Sequence, residues 1–339
     1  MLIIFKPGFY LGIDSGATRT TVTITKESGL VVGVGEAGTA NLHNVSLDTI
    51  FRNINEAIES ARADVLAKHS DLKINDFEAA CLGLSGMDTF ADREKVKNYI
   101  NNLSEGERTF GAKRLIVANN GLTGLMSGTE NPSGICLIAG SGSNCYGISR
   151  VGKEATAGNW GYLLGDQGSA FAIGQAILRQ VIKEYDGRLT QTVITHKVLD
   201  FLKLADASQI VDWAYRDKLP VREIASLSKL CDDHQLSDVV EIANIINHTA
   251  QELAVAYKAV VSKLEIRDDE EFPVVLVGGL FEMKNQFTNK VIRSILNITP
   301  QAVVGMKIRS ASEGASRVAM LHNQLRMFPE SLIVVVRPE

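Results

Sequence analysis

The sequence predicts a duplicated α/β protein. Three observations carry that prediction. Strand patterns give way to helix patterns twice along the chain, a glycine- and hydroxyl-rich turn follows an apolar strand early in each repeat, and 339 residues exceed what one hydrophobic core ordinarily organises. The first turn is Asp14-Ser15-Gly16-Ala17-Thr18-Arg19-Thr20, after the run Phe9 to Ile13; the second is Gly140-Ser141-Gly142-Ser143-Asn144, after Ile135 to Ala139. Glycine lets the backbone turn sharply and lets an anion approach its N–H groups, and hydroxyl side chains add donors. Two such turns, each opening a similar half, suggest a clamp that grips a nucleotide's phosphates from both sides. The duplication shows in element order, not in residue identity.

The elements follow in order. Gly8 to Glu36 reads as three short strands, with Thr21, Thr23 and Thr25 alternating with Val22 and Ile24 at the period of a half-buried strand. Gly29 marks the turn into Val31–Gly35. From Ser46 to Lys68 the apolar residues Leu47, Ile50, Phe51, Ile54, Ile58, Ala61 and Val65 recur every three or four positions, which predicts an amphipathic helix N-capped by Ser46. Ala79–Leu84 is a strand, Asp92–Leu103 a helix and Leu115–Ala118 a buried strand. A cluster of Gly124, Gly128, Asn131 and Pro132 marks the boundary between halves, near Leu122–Pro132. The second half opens with strands Ile135–Ala139 and Cys145–Ser149. Helices follow at Ser169–Glu184, Thr192–Lys203 and Ser237–Leu264, the longest. Pro273–Val277 is a short buried strand ending in Gly278-Gly279, and Gly314–Leu325 is a closing helix. Leu332 to Val336 is β-prone, and such a run pairs with a sheet edge in its own subunit or a partner's.

Bulk properties set limits. Hydrophobic content of 45% with 22% charged residues is that of an ordinary globular protein, and a net charge of −4 argues against broad nucleic-acid binding. The apolar start, Met1 to Phe5, is too short for a signal peptide or a membrane span. Cys81, Cys136, Cys145 and Cys231 are scattered, without a CxxC pair, and read as reduced, buried thiols of a cytoplasmic protein. The six histidines show no metal-ligand spacing and are assigned no chemistry. Trp160 reads as packing near the cleft.

At five stretches the chain resembles the sugar-kinase, heat-shock-ATPase and actin superfamily. Within it the chain is most similar to the N-acetylglucosamine kinase branch, which shares its fold with the BadF-BadG-BcrA-BcrD-type ATPases. The stretches are Leu11 to Thr20, Leu84-Ser85-Gly86-Met87-Asp88, Ile138 to Cys145, Gly158-Asn159-Trp160-Gly161 running into Gly165-Asp166-Gln167-Gly168-Ser169-Ala170, and Val275-Leu276-Val277-Gly278-Gly279. Each alone is weak; five in family order from Tyr10 to Ala319 are strong. The resemblance implies an actin-like ATPase fold of two ribonuclease-H-like domains with an interdomain nucleotide cleft. Residues 1–122 would form the first, 123–325 the second, with the helix at 314–325 packing back on the first and a tail at 326–339. It implies ATP and Mg²⁺ as cofactors and, together with the β-prone tail, a homodimer; the charge balance and the lack of a long apolar segment argue against nucleic-acid and membrane partners. Gly16, Ala17, Thr18 and Arg19 would hold phosphates from one side and Gly140, Ser141, Gly142 and Ser143 from the other, with Gly278 and Gly279 leaving room for adenosine. Asp14 and Asp166 would hold the metal, through water. Asn41, Ser85, Gly86, Asn120, Asn144 and Asp166 would form the sugar site, since each buried sugar hydroxyl must be satisfied.

One residue departs from the family pattern. Its members carry an aspartate that takes the proton from the sugar hydroxyl, and in Val117-Ala118-Asn119-Asn120-Gly121 that place is held by Asn120. A carboxamide orients a hydroxyl but does not accept its proton near neutral pH. Four readings stand side by side: an introduced exchange that traps a substrate complex, a natural sensor without turnover, another base such as Asp88 or Asp166, or deamidation at Asn120-Gly121. The functional expectation is an ATP-dependent hexosamine kinase for N-acetylglucosamine, glucosamine or a related sugar. The alternatives are a non-catalytic sugar- or nucleotide-binding regulator, and an ATPase of the benzoyl-CoA reductase activator type. The last is weakened by the lack of paired cysteines for an iron–sulfur bridge.

Overall fold

Each half of the chain begins with an antiparallel meander and continues with strands parallel to its first member. The computed structural model describes residues 8–336 except 17, 73, 75, 88, 217–218, 268, 326 and 329–332, and excepting the side chains of 105 and 106. The expectations placed on Met1 to Phe5, Ala17, Asp88 and Leu332 therefore lie outside the described residues. The first meander is β1 (Phe9–Ser15), β2 (Thr20–Lys26) and β3 (Val31–Ala37). After α1 (Leu47–Lys68) the chain returns as β4 (Ala79–Leu84), parallel to β1. After α2 (Phe90–Asn101) and α3 (Glu105–Thr109) it returns again as β5 (Leu115–Asn119), parallel to β4. The short α4 (Asn120–Leu125) leads to the second meander, β6 (Gly134–Ala139), β7 (Ser143–Ile148) and β8 (Glu154–Gly158).

Among the described residues six α-helices follow: α5 (Gly161–Leu164), α6 (Ala170–Tyr185), α7 (Val193–Leu202), α8 (Ile210–Ala214), α9 (Val221–Ser226) and α10 (Val240–Leu264). Then β9 (Phe272–Val277) pairs parallel to β6, and after α11 (Phe287–Ile298) β10 (Ala302–Met306) pairs parallel to β9. The last described elements are α12 (Ala311–Leu325) and β11 (Val334–Val336). The sheet orders are β11-β5-β4-β1-β2-β3 and β10-β9-β6-β7-β8, so the core order of the first sheet, β5-β4-β1-β2-β3, is repeated in the second. β11 lies antiparallel on β5, which gives the β-prone tail to the chain's own first sheet.

Helix α1 starts where expected. The Ser46 hydroxyl accepts the Thr49 N–H at 3.3 Å, and Ile50, Phe51, Ile54, Ile58, Ala61 and Val65 are buried against the first sheet. Full burial of a large aliphatic side chain contributes about 1.5–3 kcal/mol, so this stripe rather than helix propensity holds α1. A separate apolar cluster fills the second half around α6 and α10. A third lies between the sheets, joining Tyr10, Cys81 and Ala118 of the first to Cys136, Tyr146 and Val275 of the second through α4 and α12. All four cysteines are free and buried.

The threonine stripe of β2 corrects the half-buried reading. Thr23 and Thr25 are buried like Val22 and Ile24, because α12 covers that face too and supplies hydroxyl partners. Thr23 and Ser312 share a hydrogen bond of 2.6 Å, and Thr25 pairs with Ser316. Gly12 lets α12 come this close, since a Cβ there would sit 1.9 Å from the Ser312 carbonyl. The glycines near Leu122–Pro132 also serve packing. Those at 124 and 128 press on Cys136 and Val275, and no flexible linker is needed.

Candidate active site

The turns that end β1 and β6 face one another across a cavity. In the first, the Gly16 N–H donates to the Arg19 carbonyl at 2.9 Å and the Thr39 hydroxyl donates to the Gly16 carbonyl at 3.0 Å. The Ser15 hydroxyl accepts the Ser85 N–H at 3.0 Å, fastening the turn after β4 to the turn after β1. Asn41 is held in the same network: its Nδ2 donates to Ser85 Oγ at 3.0 Å, and its Oδ1 accepts the His43 N–H at 2.9 Å. Asp14 closes β1 between these groups. Burial lifts its carboxyl from 3.8 to about 6, against the pull of the Arg19 and Lys307 charges.

The second turn is docked on a helix. The Gly140 N–H donates to the Gly142 carbonyl at 2.9 Å, and the Gly140 carbonyl accepts the Ala170 N–H at 2.8 Å at the start of α6. Ser169 caps that helix, accepting the Ala172 N–H at 3.2 Å. Asp166 precedes the cap in the left-handed region at φ +59°, which only a surrounding structure holds for a non-glycine residue. Its carboxylate lies so near the second turn that a Cβ on Gly142 would sit 2.8 Å from Oδ2.

Between the turns lies a cavity of about 800 Å³. Its wall brings together Asp14, Gly16, Thr18, Asn41, Ser85, Asn120, Gly140, Ser141, Gly142, Ser143, Asn144 and Asp166, most of the residues singled out from the sequence. Strand β5 ends one residue before Asn120, which is the first residue of α4. Asn119 is the helix cap: its Oδ1 accepts the Gly121 N–H at 2.7 Å and its Nδ2 donates to the Met87 carbonyl at 2.9 Å. Asn120 is left for the cavity. Its Oδ1 is buried without a hydrogen-bond partner, and so are both amide atoms of Asn144. A buried polar atom left unpaired costs about 1–3 kcal/mol, so these atoms mark where a polar ligand belongs.

Four of the expected residues stand apart from the wall. Arg19 points outward, 65% exposed, and pairs with Glu36 at 3.2 Å. Gly86 makes a turn at φ +83° against the His43 ring. Gly278, at φ +115°, packs on the second turn itself, where a Cβ would meet the Ala139 carbonyl at 2.3 Å. Gly279 is surrounded by open space.

The wall also holds Asn159, from one of the stretches that carry the resemblance, and residues that pattern reading missed: His43, Asn44, Tyr162, Val221 and Arg222. His43, to which the sequence assigns no chemistry, follows Asn41 by two residues and is carried to the wall by the same loop. Arg222 comes from α9, and its Nη2 donates to the Thr18 carbonyl across the cavity at 2.7 Å. Trp160 is 68% exposed rather than packed, at the rim of an adjoining cavity of about 340 Å³ that shares Ser143, Asn144 and Asp166 with the first.

The cavity's two carboxylates, Asp14 and Asp166, and its hydroxyls form an all-oxygen donor set. Mg²⁺ keeps several waters and takes one or two carboxylates plus substrate phosphates, so this set suits it without a full protein cage. Among the described residues no group of three or more His, Cys, Asp or Glu is gathered as a metal centre. No helix among them is long and apolar enough to cross a membrane.

A profile of the BadF/BadG/BcrA/BcrD ATPase family matches residues 11–318. The chain is 31% identical to the N-acetyl-D-glucosamine kinase of Dictyostelium discoideum over 92% of its own length and 97% of the relative. It is 27% identical to the N-acetylmuramic acid/N-acetylglucosamine kinase of Clostridium acetobutylicum over 89% of its length and 95% of the relative. In structure it is similar to a putative N-acetylglucosamine kinase from Chromobacterium violaceum. That likeness has a TM-score of 0.69 at 21% identity and covers 91% of this chain and 98% of the other.

Proposed function

This chain belongs to the BadF/BadG/BcrA/BcrD ATPase family, and we propose that it is an ATP-dependent kinase of amino sugars of the N-acetylglucosamine and glucosamine type. One observation carries the reading most. Two phosphate-type turns share a single cavity with a set of polar side chains, among which Asn120 and Asn144 keep buried amide atoms unpaired. A sugar with hydroxyl and acetamido groups supplies the donors and acceptors these atoms lack. The two sheets then correspond to two domains, and the cavity to the cleft between them. A cytoplasmic homodimer belongs to the same reading on the sequence resemblance.

In the transfer, a sugar hydroxyl oxygen attacks the γ-phosphorus as the bond to the ADP oxygen breaks. The turns at Gly16 to Thr18 and Gly140 to Ser143 hold the phosphates through N–H and hydroxyl donors, and Asn41, Ser85 and Asn144 orient the sugar. Mg²⁺, held by Asp14 and Asp166 through water, would neutralise charge on the phosphates. The Asn120 Oδ1 accepts a hydrogen bond from the attacking hydroxyl but does not carry its proton away, so the proton leaves to solvent as the new O–P bond forms. Phosphoryl transfer rests mainly on positioning and charge stabilisation, so slow turnover remains in this arrangement.

Asn120 also favours a second reading, a sugar- and nucleotide-binding regulator. A thermal-shift panel of amino sugars with and without MgATP, followed by a coupled assay on the binders, separates the two. Phosphate transfer that depends on one amino sugar supports the kinase. Sugar binding with no transfer supports the regulator. ATP hydrolysis indifferent to every sugar sinks both and leaves an ATPase.

A further inference from the structure

We infer that Arg222 contacts the phosphates of the bound nucleotide, reaching them from the wall opposite Asp14 to Thr20; this rests on the nucleotide-binding part of the reading above. Arg222 is the sole Lys or Arg side chain among the described residues that line the main cavity. That cavity already holds two carboxylates, Asp14 and Asp166, and a nucleoside triphosphate brings further negative charge into it. The neighbouring cations are committed elsewhere: Arg19 pairs with Glu36 at 3.2 Å and Lys307 with Glu282 at 3.0 Å, and neither lines the cavity. Arg222 has no carboxylate partner among the described residues. Its recorded bond goes to a neutral group, the Thr18 carbonyl, at 2.7 Å.

That bond aims the side chain. A guanidinium carries five N–H donors in a rigid fork, so one donor on Thr18 leaves the rest for phosphate oxygens beside the first turn. The helix that presents Arg222 is itself fixed. Helix α9 lies so close on α6 that a Cβ on Gly174 would sit 1.8 Å from the Ile224 carbonyl. Helix α6 in turn donates the Ala170 N–H to Gly140 of the second turn at 2.8 Å. The cation is therefore mounted on the same support as one phosphate turn and rests on the other.

The test compares the full chain with Arg222→Ala and Arg222→Lys, measuring binding of MgATP and of adenosine by calorimetry at low and high potassium chloride. A charge-assisted phosphate contact is worth about a tenfold change in affinity. The expected result is an MgATP affinity about tenfold weaker in Arg222→Ala, with a shallower salt dependence, unchanged adenosine binding and an unchanged melting temperature without ligand. Arg222→Lys keeps the charge and recovers part of the loss. If Arg222→Ala binds MgATP as the parent does, or loses ATP and adenosine in equal measure, the inference falls while the nucleotide-binding reading stands. If the parent binds neither nucleotide nor adenosine, both fall.

Discussion

The turn after β1 and the turn after β6 occupy matching places in a repeated strand order, yet they are built from different material. The first carries a carboxylate, Asp14, and is tied to three other segments by the Thr39 hydroxyl, the Ser85 backbone N–H and the Arg222 guanidinium. The second carries no charge and is secured by backbone, with Ala170 of α6 on Gly140 and the Gly278 bend packed against it. The helices after the last core strand of each half show the same divergence. Both α4 and α12 lie between the sheets, but at the cavity α4 presents Asn120 where α12 presents Ala311. A duplicated backbone can thus supply two similar turns, of which one carries a carboxylate and the other none.

The largest expected effect breaks that asymmetry at its active end. Asn120→Asp places a carboxylate where the buried Oδ1 now lacks a partner. General-base help is typically worth about 10²–10⁴ in rate, so sugar-dependent transfer should rise by that order, with sugar affinity little changed. A coupled assay over a pH series checks it, since the gain should follow ionisation of the new carboxyl. A variant that binds sugar and MgATP but transfers no faster would show that this position is not the base site.

Gly278→Ala attacks the other grip. At φ +115° a side chain is strained, and its Cβ would meet the Ala139 carbonyl at 2.3 Å, so the backbone of the second turn must shift. Strain of this kind costs on the order of 1–3 kcal/mol. Denaturant unfolding should show that loss, and MgATP binding should weaken with it. An unchanged midpoint would mean that the second turn is as well held by α6 alone.

How much of this was legible in the sequence depends on range. The strand–turn units around Asp14 and Gly140, the Ser46 cap and the α1 stripe are local patterns, and they read correctly within a residue or two. Strands β8 and β10 escaped for different reasons. Glu154–Gly158 is a strand through its ladder with β7, and Ala302–Met306 is a mostly exposed edge strand beside β9. The buried threonine face of β2 depended on Ser312 and Ser316, almost three hundred residues away. Most candidate site residues were found because their motifs are contiguous. Arg222 was not, since α9 carries no motif and meets Thr18 across 204 positions.

A smaller effect tests the charge carried by the first turn. With its carboxyl at about 6 rather than 3.8, Asp14 holds its proton more firmly in the folded chain than in the unfolded one. Between those values the folded state binds more protons, so this residue's contribution to stability declines as pH rises from about 4 to about 6 and is constant above. In Asp14→Asn that contribution is absent. Thermal midpoints of the ligand-free parent and variant should lie close together near pH 4, with the variant gaining an advantage by pH 7. Parallel curves across that range would mean that the Asp14 carboxyl is not held by burial.

The smallest effect concerns the other glycine of the pair after β9. Gly279 has no left-handed φ and no atom within 4 Å of where a Cβ would sit, so nothing in the fold requires glycine there. Gly279→Ala should leave the unfolding free energy within about 0.5 kcal/mol of the parent, unlike its neighbour. If adenosine lies against this backbone, as the sugar-kinase reading has it, the added methyl intrudes on the nucleotide. The thermal shift given by MgATP should then shrink, while the shift given by sugar alone stays as it was. A nucleotide shift equal to the parent's would move the adenosine away from Gly279 and leave the two phosphate turns as the grip on ATP.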